Sequence, residues 1–169
     1  HPVTKAAHAR TDIERTPEGK AHDDALMEND EYWKWFTLTY EELLIQSDSK
    51  DIMIREIPLI ADDGRLCGNR IAIRHDIPTQ TEKSCVLAEE LGHYHTSYGD
   101  ILNLDNIQNQ KQELRARMWA YDRQIGLIGI IRCFEAGCQS QSEMAEFLDV
   151  TEEFLKEALE RYRQKYGIC

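Results

Sequence analysis

Apolar positions along the chain change their spacing twice, and the changes divide it into a helix, a sheet and a run of helices. Trp33, Phe36, Tyr40, Leu43 and Leu44 recur at intervals of three and four, which predicts a helix over residues 29–46 with one buried face. Its tryptophans read as core anchors. Thr37-Leu38-Thr39 is weak helix material within that stretch and marks where a break would fall. From Ile52 the interval shortens to two. Ile52–Ile60 (IMIREIPLI) and Asn69–Ile77 (NRIAIRHDI) flank DDGRLCG, and alternation on both sides of an Asp-Gly pair predicts an antiparallel hairpin. Ile71 and Ile73 would face one side and Ala72 and Arg74 the other, with a third strand drawing on residues around Leu59 and Leu66.

After Pro78 the helical interval returns. Thr79 or Thr81 can cap a helix in which Val86, Leu87 and Leu91 form the buried face. Gly92 inside it costs about 1 kcal/mol relative to alanine, so another backbone or a substrate is expected to pass close by. A loop rich in Asn, Asp and Gln (residues 97–110) precedes a second helix opening near Gln110. There Leu114, Met118 and Tyr121 share a face, and Ala116 and Ala120 make a small-residue stripe that permits close helix packing. Glu113 stands one turn before Arg117, an ordinary surface ion pair on its own terms. Residues 124–135, Ser140–Leu148 and Thr151–Tyr166 continue as helices, the last using Phe154, Leu155, Leu159 and Tyr162. The short turn at Asp149-Val150-Thr151 gives the tail a helix-turn-helix outline. Its final helix mixes Glu with Lys and Arg, which suits a packing unit or partner surface better than a DNA reader. The fold expected is α+β: a small antiparallel sheet packed on the central helix, then a helical C-terminal half. Residues 1–26 are polar and aperiodic, and read as a disordered extension outside the fold with no function of its own. The folded part would run as a core over 27–123 and a helical region over 124–169.

Composition narrows the function. A net charge of −11 with 30% charged residues argues against loose attachment to nucleic acid or anionic lipid. The longest apolar stretch, Ile125–Ile131, is too short to span a membrane. Five cysteines, odd in number and without a C-x-x-C spacing, read as idle thiols in a reducing cytoplasm.

The chemistry concentrates in Cys85–Asp100, CVLAEELGHYHTSYGD. On one helix, Glu89 and His93 sit four apart and project from the same flank, with Glu90 about 100° further round. Two ligands four apart beside a glutamate is the geometry of the zinc-peptidase helix, H-E-x-x-H, with Glu89 in the place of the first histidine. A catalytic zinc takes three protein ligands and keeps a fourth position open. Glu113, opening the following helix, is a natural third ligand, and His95 is the alternative. Glu90 would act as general base. Tyr94, Tyr98 and His95 are the nearby candidates for stabilising an oxyanion. An oxygen-rich set of this kind makes zinc a weaker Lewis acid and admits manganese more readily.

The succession of hairpin, GNRIAIR, TEKSCVLAEELGHYHTSYGDI and QELRARMWAYD resembles the ImmA/IrrE family of metallo-endopeptidases from about Tyr32 to Asp122. The helical tail is similar to that of short members from phages and mobile elements. In that family the zinc helix carries H-E-L-G-H and a downstream E-x-x-A-x-x-(F/W)-A supplies the third ligand. The matching positions here are Glu89–His93 and Glu113–Ala120. The resemblance implies Glu90 as base, His93 and Glu113 as ligands of one zinc ion, and Glu89 in the first ligand position. It also implies an endopeptidase whose substrate is a helix-turn-helix repressor, and with the composition above the expectation is a cytoplasmic protein with no nucleic acid or membrane partner. The alternative is a non-catalytic protein that binds such a repressor through its helical surface.

Overall fold

In the computed structural model, residues 37–97 and 106–167 are described, and they belong to one compact unit. The expected extension over 1–26, the helix over 29–36 and most of the polar loop lie outside them. Helix α1 spans Tyr40–Asp48, strands β1 to β3 span Met53–Ile57, Gly64–Cys67 and Arg70–Arg74, and α2 spans Gln80–Thr96. Helices α3 to α6 follow at Asn106–Gln124, Gly126–Glu135, Gln141–Leu148 and Glu152–Tyr166.

The weak stretch Thr37-Leu38-Thr39 is where α1 begins. Thr39 caps it in a reciprocal box: its hydroxyl accepts from the Glu42 amide, and the Glu42 carboxylate accepts from the Thr39 amide. The preceding residue is held by a side chain acting as a strand. The buried Gln124 amide accepts from the Leu38 N–H at 3.1 Å and donates to the Leu38 carbonyl at 3.0 Å. Both backbone groups of Leu38 are thereby satisfied in a place that water does not reach.

The sheet is mixed, which corrects the antiparallel arrangement expected. Its order is β1-β3-β2, with β1 parallel to β3 and β2 antiparallel to it. The Asp63-Gly64 pair is not the hairpin turn. The chain leaves β1 through an irregular segment, and Gly64 opens β2. It reverses at Gly68-Asn69, where Gly68 takes the positive φ of +61° that a two-residue turn requires. Leu66 then pairs with Ile71 and Cys67 with Arg70. This second reversal, after the one between β1 and β2, returns β3 alongside β1 in the same sense, with Ile54 opposite Ile71. Alternation along β3 is as expected, with Ile71 and Ile73 buried and Ala72 and Arg74 facing away.

Thr79 caps α2, its hydroxyl accepting from the Glu82 amide at 3.1 Å. Leu87, Ala88 and Leu91 bury one flank, and Val86 is half-buried at the edge. Helix α3 lies along α2 at very close range. Ala116 and Ala120 are fully buried, and a Cβ added at Gly92 would collide with the Ala116 carbonyl. The glycine and the alanine stripe are thus two halves of one contact. Tyr121 is buried on that helix and Met118 partly so, but Leu114 is exposed. Ser140 and Thr151 cap α5 and α6, and Phe154, Leu155, Ala158 and Tyr162 seat α6 in the core. Asp149 supplies the left-handed residue of the turn between them, φ +51°. Among the described residues no helix is long and apolar enough to cross a membrane. Cys85 and Cys133 are buried thiols, pushed up to about 11 chiefly by burial.

Candidate functional site

Because α2 and α3 touch at Gly92 and Ala116, polar side chains close to that contact meet across the seam. His93 Nε2 lies 3.3 Å from Glu113 Oε2. These residues are twenty positions apart in sequence, and the helix pair alone brings them together. Glu89, one turn before His93, lies in the same charged neighbourhood. Its carboxyl is raised to about 7, first by burial and then by the charges of Glu157, Glu113 and Asp63, with Arg117 opposing. Glu90 is also raised to about 7, by burial and then by Glu89, Glu113 and Asp62, against a hydrogen bond from the Leu66 backbone.

Glu90 is seated by the sheet edge. A Cβ added at Gly64 would lie 2.7 Å from the Glu90 Cγ and 2.9 Å from a Val86 methyl. Only the absence of a side chain at position 64 lets the first residue of β2 lie over this carboxyl. Two glycines therefore frame the site: Gly92 admits α3, and Gly64 admits the strand.

Arg117 is a cation set among these acids, and it is engaged by two of them. Its Nε donates to Glu113 Oε1 at 2.9 Å, and its Nη1 lies 3.4 Å from Glu157 Oε2 on α6. The Tyr121 hydroxyl donates to that same Glu157 oxygen at 2.8 Å. A cavity of about 500 Å³ opens beside the group, lined among others by Asp63, Arg74, Cys85, Glu89, Arg117 and Glu157.

His95 and Tyr94 point elsewhere. His95 is two residues beyond His93, roughly 200° round the helix. Its ring stacks on Trp119 with centroids 4.7 Å apart, and Tyr94 meets it edge-on at 5.1 Å. Burial, with Lys50 and Arg123 nearby, lowers the His95 pKa. The neighbours of His95 are thus aromatic and cationic, whereas those of Glu89 and Glu90 are acidic. Tyr98 lies outside the described residues. Glu157 and Gly64 were not foreseen from sequence. Glu157 is one acid among many on an amphipathic helix, and Gly64 has the look of an ordinary turn glycine.

The donor types suit a borderline divalent cation: one imidazole and two carboxylates, with acidic charge in excess of the Arg117 guanidinium. Two carboxyls held near neutral pKa by burial and mutual repulsion are the electrostatic condition that such a cation relieves. As placed, though, one Glu113 oxygen is committed to Arg117. Among the described residues no group of three or more His, Cys, Asp and Glu side chains is disposed to hold a metal ion.

A peptidase family model described as IrrE N-terminal-like domain matches residues 47–160, from the end of α1 well into α6. No curated protein matches the chain, and no solved structure does.

Proposed function

Because the chain belongs to the IrrE N-terminal-like domain family of peptidases, we propose that it is a metal-dependent endopeptidase, with Glu89, His93 and Glu113 as ligands and Glu90 as general base. The observation that carries this reading is the approach of His93 to Glu113 across the α2–α3 seam, beside two buried carboxyls. Zinc, or manganese in so oxygen-rich a set, would supply Lewis acidity for a scissile carbonyl and acidify a water.

The chain's own part is the handling of the proton and of the substrate backbone. A carboxyl poised near pH 7 both accepts a proton readily and returns it to a leaving amine, since transfer is efficient when the base matches the working pH. Gly64 keeps the edge strand β2 close over Glu90, so a peptide added along that edge would pass within reach of the base. The substrate we propose is a helix-turn-helix repressor, and the place of action is the cytoplasm.

A second reading is favoured by a different observation. With Glu113 turned to Arg117 and no three-donor group among the described residues, the chain would bind a repressor through its helical surface without cutting it. Elemental mass spectrometry on protein purified without added metal or chelator separates the two. About one zinc or manganese per chain, lost in both His93→Ala and Glu89→Ala, is the result expected of the peptidase. A chain that takes up neither metal after incubation with both is the binder.

A further inference from the structure

The guanidinium of Arg117 lies among carboxylates that the proposed metal would use, and its contacts are lopsided. One Glu113 oxygen accepts from Arg117 Nε at 2.9 Å, while the other lies 3.3 Å from His93 Nε2. On its far side Arg117 reaches Glu157 Oε2 at a looser 3.4 Å, where that oxygen already accepts from Tyr121. The arginine is therefore spread between a candidate ligand on α3 and an acid on the C-terminal helix.

Resting on the reading of Glu89, His93 and Glu113 as a ligand set, we propose that Arg117 is a built-in counter-cation that competes with the divalent ion for Glu113, and that Glu157 is the acceptor onto which it retires when metal enters. A planar, permanently charged fork can hold two carboxylates at once, which an ammonium cannot do in the same geometry. Without metal, the fork offsets part of the repulsion among Glu89, Glu113 and Glu157. With metal, the same fork would repel the ion if it stayed on Glu113, and Glu157 offers it somewhere else to go. The arrangement ties occupation of the site to α6, a helix that contributes none of the proposed ligands.

The test is the affinity of the full chain for Zn²⁺, measured by competition with a chromophoric chelator. Circular dichroism and a melting curve on each metal-free variant confirm that it is folded. Arg117→Met is expected to bind zinc about tenfold tighter than the parent, and to melt lower without metal. Glu157→Gln, which strands the arginine on Glu113, is expected to bind more weakly. Arg117→Lys distinguishes a fork from a mere charge. It keeps the charge but not the two-carboxylate grip, so competition predicts tighter binding than the parent, and charge alone predicts no change. Zinc bound equally by the parent, Arg117→Lys and Arg117→Met overturns the proposal while leaving the ligand set standing. Folded variants that bind no zinc at all, Arg117→Met included, overturn both.

Discussion

The two flanks of α2 are built on opposite principles. One flank, Leu87, Ala88, Leu91 and Gly92, is apolar and packs so closely on α3 that a carbonyl of one helix fills the space of a missing methyl on the other. The other, Glu89, Glu90 and His93, carries carboxyls that burial and mutual charge hold well above their ordinary range. Dispersion and area burial stabilise the first. The second works against folding at neutral pH, and is affordable because the first holds the two helices in place. This is the expected division in a site whose groups are preorganised by a rigid support.

The comparison breaks most visibly at Glu90. Replacing it with Gln is expected to lower the proposed peptide cleavage by about 10²- to 10⁴-fold while the melting temperature holds or rises, because a strained carboxyl becomes a neutral amide. A fall in both would mean that Glu90 supports the fold. Next is Gly92→Ala. Helix propensity favours alanine by about 1 kcal/mol, but the new methyl meets a backbone carbonyl that has nowhere to move. Overpacking wins, and a net loss of roughly 2 kcal/mol or more is expected in a denaturant titration. An unchanged midpoint would show that the helices are further apart than the contact implies.

Acid–base behaviour gives a smaller and more diagnostic effect. For Glu89 and Glu90 the folded pKa of about 7 lies above the unfolded value of 4.5. The folded chain therefore holds more protons between those limits, and its stability falls as pH rises from about 4.5 through about 7. Each group should contribute a fall of at most about 3 kcal/mol across that range without metal. Glu89→Gln should flatten it, and a slope of opposite sign would contradict the buried setting of both groups. Smallest is Thr79→Ala at the N-terminus of α2, which loses one capping hydrogen bond and about 1 kcal/mol. That substitution should leave metal affinity alone, since it weakens the support without altering the charged flank.

What the sequence disclosed follows the same division. Local periodicity exposed α2, its cap, the alanine stripe and the glycine that meets it, because each depends on neighbours three or four residues away. The Glu113–Arg117 pair was legible for the same reason. Strand direction was not. Ile52–Ile60 and Asn69–Ile77 alternate in either sense of pairing, and β2 is four residues of Gly, Arg, Leu and Cys that carry little strand signal. Reading the Asp-Gly pair as the turn then made the sheet antiparallel, when the reversal occurs at Gly68-Asn69. Of the candidate residues, Glu89, Glu90 and His93 were proposed from their spacing on one helix. Glu157 reaches Arg117 only through the packing of α6, forty residues further along the chain, and no local pattern marks it.

The link from Tyr121 and Arg117 to Glu157 bears on how such a protein can change by exchange of segments. A recombination joint placed after α3 falls at a tempting boundary, between the helices that hold the charged flank and the tail. Any incoming tail without an acid at the position of Glu157 would leave a buried phenol with no acceptor and a guanidinium with one partner fewer. A tail exchanged apart from α3 is therefore expected to cost stability unless it restores an acid at that position.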